Sequence, residues 1–415
     1  MRTTTLLRAL LAIQYLVVRG FYFEPSGLVI DVAPTWSIPR CGGCGCKTRR
    51  VHGQRQRFWR HLDLAGMTLR LRYVMRRVRC DACDGITTEQ VPWASPDSSF
   101  THAFEEHTAY LAQQCSQTAV AKLMRVAWRT VGGIVRRVVD RHLDSKGGDG
   151  LDRLRHIGVD ELSYRRHHQY ITVVVDHERG RVVWAAKGKS AETLRGFFED
   201  LGPDRCSELE TVTLDLSKAY IKAVRDSAPQ AKQIYDRFHV QRLVQDALDE
   251  TRRDEVREAA TKEEKAALKG TRWPLQKSPW NLTKADTQTL EELEWTNRTI
   301  FRGHMLKESL AAILDRRQIH VATTKLGQWI TDAKASGLKH FARAARTIEQ
   351  HAEGILEYVR TRFTNARTEG LNGKIRTITR RAFGFHSASA LISMVFLCCG
   401  GVHVTPAHVT PLHRH

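Results

Sequence analysis

The chain has no apolar run long enough to cross a bilayer: the longest, Ala390 to Cys399, falls well short of the ~20 residues that a spanning helix needs. Nor is a secretory leader expected in the stretch from Leu6 to Phe23, which is interrupted by Arg8, Gln14 and Arg19 and lacks a convincing small-residue cleavage site. Acids are the third shortage. Asp and Glu number 45 against 65 Lys and Arg, a formal net charge of +20. That deficit points to a polyanionic partner, nucleic acid first, because cationic side chains release the counterions condensed on phosphates. A membrane surface, the other anionic partner, fits poorly with the missing span. The chain is expected to be cytosolic, where its nine cysteines serve as metal ligands or free thiols rather than disulfides.

What is present starts with a hydrophobic fraction of 42% in 415 residues, enough for one large core or two or three smaller ones. The most informative stretch runs from His156 to Lys187. Three β-branched segments, His156–Leu162, Gln169–Asp176 and Arg181–Ala186, are separated by polar or Gly-bearing turns, the pattern of a strand meander. His177-Glu178-Arg179-Gly180 joins the second to the third, so antiparallel pairing is expected. Asp160 is expected to end the first strand, where a carboxylate is costly to bury unless it is paired or binds a cation. A helix from Ser190 to Leu201 follows, then a fourth strand, Leu209–Asp215, again closing on an aspartate. Lys232–Tyr235 predicts a fifth strand leading into Asp236-Arg237-Phe238-His239. Asp236 and His239 there either stand beside a metal site or are a helix-capping acid and an ordinary helix histidine. Much farther on, Asn365, Glu369, Asn372 and Arg376 recur at spacings of 4, 3 and 4, which puts them on one helix face. Meander, helix, strand and late Glu-bearing helix make the order of a ribonuclease-H-like α/β domain. In that order two Asp and one Glu converge on two divalent cations held by hard carboxylate oxygens.

Upstream, Cys41-Gly42-Gly43-Cys44 and, 36 positions after Cys44, Cys80-Asp81-Ala82-Cys83 form two Cys-x-x-Cys knuckles, a complete set for a tetrahedral zinc ribbon. Cys46 and His52 are further candidate ligands. Between the knuckles, residues 47–79 carry eleven Lys or Arg against one acid, Asp63. Alternation over Thr68–Val74 predicts a strand with a basic face suited to a phosphate backbone, and Arg49, Arg50, Arg76 and Arg77 are candidate DNA contacts. From Phe104 to Asp140 the period becomes helical, with Val120, Leu123, Met124, Ala127, Val131, Ile134, Val135 and Val138 forming a stripe. Ser116 is placed to cap a first helix and Arg125–Trp128 to turn into a second. The result is a helix-turn-helix whose second helix would show Arg129, Thr130, Arg136 and Arg137 to DNA. Ser145–Gly150, with three glycines, predicts a linker.

Residues 1–35 predict a helix and a strand, Gly27–Val32. Residues 241–360 predict a charged, Ala- and Leu-rich helical insertion broken at Trp273-Pro274 and Ser278-Pro279. Its Trp273, Trp280 and Trp295 are expected in the core, with stacking on a displaced base as their other use. Ala382–Cys399 predicts a closing helix. The domain boundaries are therefore 1–95 for the N-terminal element and ribbon and 96–147 for the helix-turn-helix. They continue as 152–240 for the first part of the α/β domain, 241–360 for the insertion and 361–400 for the part carrying Glu369.

On these residues the chain resembles the ISL3 family of bacterial insertion-sequence transposases over most of its length. The likeness is carried by the paired knuckles, the helix-turn-helix, Ile157-Gly158-Val159-Asp160-Glu161, Asp215-Leu216-Ser217-Lys218-Ala219-Tyr220, Asp236–His239, Trp280-Asn281-Leu282-Thr283 and Thr364–Asn372. One departure is Gly42, where such knuckles often carry Pro after the first Cys. The resemblance implies a DDE transposase that binds double-stranded DNA at terminal inverted repeats and at its target. It implies a homodimer or higher homo-oligomer on DNA, associated with the bacterial nucleoid in the cytoplasm. It also implies Asp160, Asp215 and Glu369 as catalytic ligands of Mg²⁺ or Mn²⁺, and Zn²⁺ on Cys41, Cys44, Cys80 and Cys83. Asp236, His239, Asn365 and Asn372 would support the site, and Lys374, Arg376, Arg380 and Arg381 would neutralise the DNA backbone. Two other classes explain less of the chain: a DNA-binding regulator needs no carboxylate triad, and a structure-specific nuclease of the same fold needs no upstream DNA-binding modules. Recognition of the repeats is expected upstream of about residue 150, so that a fragment ending at Gly147-Gly148 would bind them alone.

Overall fold

The computed structural model describes residues 2–144, 150–165, 169–363, 366–382 and 384–405; Asn365 and most of the Ser145–Gly150 stretch lie outside them. Two compact units divide the chain, one of Met1–Gly147 with Arg381–Phe383 and Ser393–His415, the other of Gly148–Arg380 with Gly384–Ile392.

The first unit opens with a helix, Thr3–Leu11, followed by β1 (Leu16–Glu24), β2 (Gly27–Pro34), β3 (Val51–Leu64), β4 (Met67–Cys80) and β5 (Gly85–Thr88). The lateral order is β1-β2-β4-β3 with β5 on β4, and only β2 and β4 run parallel. The expected N-terminal element thus gains a strand, β1. Its pairing register shifts between Val18 and Gly20, and a bulge of that kind interrupts the alternation by which a strand is recognised. The long gap between the Cys knuckles is filled by the β3–β4 hairpin, which brings the chain back to the second knuckle. Leu69, Leu71 and Met75 pack with Trp59, Trp93 and Ile30 in the core, leaving Arg70 and Arg72 on the other side of β4.

That basic side is not free. Arg70 pairs with Glu24, Arg72 with Asp31, Arg60 and Arg125 with Asp63, and Arg76 with the fully buried Glu89. The one-sided charge of residues 47–79 is answered by acids from β1, β2 and the segment after β5, so the expected phosphate-tracking face of β4 is largely consumed inside the fold.

Helices His102–Gln114, Gln117–Met124 and Trp128–Asp144 complete the unit. Thr101 and Ser116 cap the first two by accepting the N–H groups of Phe104 and Ala119. Arg125, at φ 53°, makes the left-handed turn into the third. Val120, Met124, Val131, Ile134, Val135 and Val138 are buried as expected, but Leu123 is 62% exposed and Ala127 is exposed too. The stripe narrows to Val120 and Met124 at the turn. Leu397, Val402 and Val404 complete this core, and Gln113 Nε2 donates to the Leu397 carbonyl at 2.7 Å. A fragment ending at Gly147 would lack those groups, which corrects the expectation of a self-contained upstream half.

The second unit is built on β6 (His156–Arg165), β7 (Gln169–Asp176), β8 (Arg181–Lys187), β9 (Thr211–Leu214) and β10 (Lys232–Tyr235). Their order is β10-β9-β6-β7-β8: β6, β7 and β8 form the antiparallel meander, and β9 and β10 add in parallel beside β6. This is the ribonuclease-H-like sheet. Ser190 caps the helix Ala191–Leu201. From Arg237–Glu258 to Ala352–Thr361 the chain is helical, with joints before Arg272–Gln276 and at the short turn Pro279–Asn281.

The tryptophans overturn one expectation: Trp273, Trp280 and Trp295 are 64%, 78% and 78% exposed. Trp273 lies in the short helix Arg272–Gln276, just past one break, Trp280 in the turn Pro279–Asn281, and Trp295 on the far side of Lys284–Thr296 from the buried Leu290 and Leu293.

Candidate metal and nucleic-acid site

The sheet aligns three carboxylates. β6 pairs with β9 only as far as Gly158 and Thr213; beyond that point β6 continues against β7, with Asp160 opposite Val173. Asp160 therefore does not end its strand, as the sequence pattern suggests, but sits two residues past the point where β6 parts from β9. Asp215 follows the last residue of β9, and Asp236 follows the last residue of β10. Because Leu214 and Tyr235 are register partners, Asp215 and Asp236 leave adjacent parallel strands at one level. Carboxyl ends of parallel strands, where neighbouring chains part, are the usual place for a ligand crevice in an α/β sheet.

Burial pushes the Asp160 carboxyl up to about 6, and the nearby charge of Asp215 acts in the same direction; the Glu161 N–H, His239 and Asn372 oppose it. The Glu161 N–H donates to Asp160 Oδ1 at 2.7 Å, and Asn372 Nδ2 donates to Oδ2. Asp215 accepts the Ser217 N–H at 3.0 Å. Burial also raises Asp236, and the charge of Glu369 adds to it while His239 opposes. Glu161 is raised by burial, with Lys189 against and Asp215 for the shift.

The helix Ala366–Arg381 buries Thr368, Leu371, Asn372, Ile375 and Ile378. Glu369 and Arg376 are exposed while Asn372 is buried, so the expected common face is split. Asn372 meets Asp160 and Glu369 is felt at Asp236. Among the described residues, Asp236 Oδ2, Asn372 Oδ1 and Thr368 Oγ1 are buried without a hydrogen-bond partner. Buried polar atoms of this kind call for an ion or solvent partner. Hard oxygen donors on three strands and a helix are the ligand chemistry of Mg²⁺ or Mn²⁺. Glu161, Lys189 and Tyr220, whose hydroxyl lies 2.8 Å from Thr172 Oγ1, also face this region. Glu161 and Tyr220 close two of the motifs that carry the family likeness, whereas Lys189 lies in none of them.

The thiols are tighter. Cys41 and Cys83 Sγ lie 3.7 Å apart, Cys44 and Cys80 Sγ 3.6 Å apart, and all four fall within 4.8 Å of one another. A tetrahedron with Zn–S bonds of about 2.3 Å has edges of about 3.8 Å, so the set fits one zinc ion. Cys46 and His52 are outside it. Among the described residues this is the one group of His, Cys, Asp or Glu gathered closely enough to hold a metal ion as it stands.

Of the arginines expected at DNA, Arg49, Arg77, Arg129 and Arg136 are exposed, and Arg50 is exposed beside Asp81. Arg76 and Arg137 are committed to the buried Glu89 and Glu105, and Arg381 donates to the Ala112 and Gln113 carbonyls. Each of the three therefore has a structural task. Lys374, Arg376 and Arg380 are exposed.

The comparisons agree with this anatomy. Residues 157–395 match a family model described as transposase. Residues 89–139 match the helix-turn-helix domain of transposase family ISL3, and residues 38–83 the zinc-finger of transposase IS204/IS1001/IS1096/IS1165. The chain is 36% identical to the transposase for insertion sequence element IS1557 of Mycobacterium tuberculosis, over 97% of this chain and 96% of that one. It is 28% identical to the transposase for insertion sequence element IS1001 of Bordetella parapertussis, over 86% and 88% of the two. A zinc ribbon, a helix-turn-helix and a ribonuclease-H-like DDE domain in one chain, matched from end to end, place it in the ISL3 family of transposases.

Proposed function

We propose that the protein binds the terminal inverted repeats of an insertion sequence and catalyses strand cleavage and strand transfer there, with Asp160, Asp215 and Glu369 as the metal ligands. The observation that carries this reading is the half-buried Asp160 carboxyl, held beside Asp215 where β6 and β9 part and gripped by Asn372 from the Glu369 helix. A carboxylate withdrawn from water beside a second one is costly unless a cation shares them. Two bound Mg²⁺ or Mn²⁺ ions would supply an activated oxygen nucleophile and neutralise the leaving oxygen of an in-line displacement.

The protein's own part is positional. Asn372 fixes the Asp160 carboxylate, Asp236 at the end of β10 lies near Glu369, His239 on the helix that follows lies near Asp160 and Asp236, and Asn365 belongs to the same proposed set. Exposed cations on the ribbon and helix-turn-helix (Arg49, Arg50, Arg77, Arg129, Arg136) would hold the repeat. Lys374 and Arg376 would meet the backbone near the cut. Cutting two ends of one element calls for a homodimer or larger assembly. Among the described residues no helix is long and apolar enough to cross a membrane, and the site of action we propose is the cytoplasmic nucleoid.

The test is cleavage of an inverted-repeat duplex by Asp160→Asn, Asp215→Asn and Glu369→Gln in Mg²⁺ or Mn²⁺. Each amide keeps the shape but removes charge, so cleavage should fall by orders of magnitude while DNA binding persists, and double variants should be no worse than single ones. Normal cleavage by either Asp variant refutes the mechanism. Normal cleavage by Glu369→Gln means that another acid holds that role, Glu353 or Glu357 by their place in the chain or Asp236 by its nearness to Glu369.

A further inference from the structure

The insertion holds a cavity of about 510 Å³ between the start of the helix Arg237–Glu258, the segment Lys277–Trp280 and the helix Arg298–Leu314, within the ~300–1,000 Å³ of ordinary small-ligand pockets. Each cation of its lining is paired, Lys277 with an acid outside the cavity. Arg237 pairs with Asp315, Lys277 with Asp286, and Lys307 with Glu308; Lys307 Nζ also donates to the Leu275 carbonyl at 2.9 Å. With its cations turned to protein partners, the cavity offers a phosphate little. What it offers instead is Val244 and Leu310 as apolar walls, the amide of Gln245, the amide nitrogen of Gln241 (its oxygen takes the Arg237 guanidinium), the Ser278 hydroxyl, and at its edge the 78% exposed Trp280. A flat, uncharged ring with donors and acceptors on its rim suits that lining.

The cavity is also well placed. Arg237 directly follows Asp236. At about 1.5 Å per helical residue, Gln241 and Gln245 lie roughly 7 and 13 Å along the helix from that carboxylate, or about two to four nucleotide steps of about 3.4 Å. We propose that this cavity receives an unstacked nucleobase from DNA near the cut, with Trp280 stacking on its face and Gln241, Gln245 and Ser278 hydrogen-bonding its edge. The proposal rests on the DNA-cleavage reading above.

The experiment binds Asp160→Asn protein to a duplex carrying the element's terminal repeat and its flank. Thymines are placed in turn at each position within about four steps of the cut, and permanganate attacks those that are unstacked. One thymine should become strongly reactive, and it should return to the naked-duplex level in the Asp160→Asn, Trp280→Ala double variant. Trp280→Ala alone should cut about 5- to 100-fold more slowly, the loss expected for one base stack. An abasic site at the reactive position should slow the wild type equally and add nothing to Trp280→Ala. The solvent-exposed position of Trp280 lets the variant keep its fold. No reactive thymine, or reactivity indifferent to Trp280, overturns the proposal. So does Trp280→Ala that changes only the oligomeric state. If no form of the protein cuts DNA while the thymine still responds to Trp280, it is the cleavage reading that fails.

Discussion

Arg76→Ala, set against Arg77→Ala, separates a structural arginine from one proposed to contact DNA. Glu89 is completely buried, and Arg76 reaches it through Nε at 3.0 and 2.9 Å and Nη2 at 2.7 Å. Truncation removes these contacts and leaves a buried carboxylate with the Arg76 N–H at 2.6 Å and the Tyr73 hydroxyl at 3.0 Å. Breaking a buried pair costs about 3–5 kcal/mol, and because two donors remain the lower figure applies, about 3 kcal/mol. For a unit of this size, at about 2–4 °C per kcal/mol, the melting point of the ribbon unit should drop by about 6–12 °C. Arg76→Ala, Glu89→Gln should recover part of the loss, since the stranded charge is gone. The neighbouring Arg77 is exposed, so Arg77→Ala should move stability by less than about 0.5 kcal/mol yet flatten the salt dependence of DNA binding by about one phosphate contact. The assays are thermal unfolding and binding titrations across salt concentrations. If Arg76→Ala melted like wild type and it was Arg76, not Arg77, that changed the salt slope, the buried-pair argument would be wrong.

The other predictions are brief. Elemental analysis should find about one zinc per chain, lost in Cys80→Ser and kept in Cys46→Ser; zinc retained in Cys80→Ser would sink the four-thiol site. Asn372→Ala should slow cleavage about 10- to 100-fold with repeat binding unchanged, and wild-type cleavage would show that Asp160 needs no such grip. Burial holds His61 and His102 down at about 4, so between pH 6.5 and 4 the unfolded chain takes up protons that the folded one refuses. Stability should therefore fall as pH drops through that window, by up to about 3 kcal/mol per histidine, as measured by unfolding at stepped pH; His61→Phe that left the slope unaltered would refute this.

The strands of the second unit were legible because β-branched runs separated by Gly or polar turns have little else to become. Ser116 and Ser190 announced their helices for an equally local reason, since a cap needs only the next three residues. Asp160 was misplaced within its strand because β6 loses β9 as a partner at Gly158 while β7 carries it on, and no local pattern records which neighbour a strand has lost. The arginines of β4 looked free because their partners Glu24, Asp31 and Glu89 lie far off in sequence. The tryptophans looked buried because the apolar surface of an indole favours a core; the breaks at Trp273-Pro274 and Ser278-Pro279 were legible, but that the indoles beside them turn to solvent was not. Asp236 and His239 were visible as candidates, but the coupling of Asp236 to Glu369 required the fold.

The closing of the helix-turn-helix core by Leu397, Val402 and Val404 sets a clock during synthesis. Gln113 and its acceptor Leu397 are separated by 284 positions. At about 5–20 residues per second, Gln113 waits roughly 15–60 s on the ribosome for its partner. A nascent chain therefore holds its helix-turn-helix around an unfinished core until the transposase domain has been made. A chain broken off midway would release no stably folded DNA-binding unit.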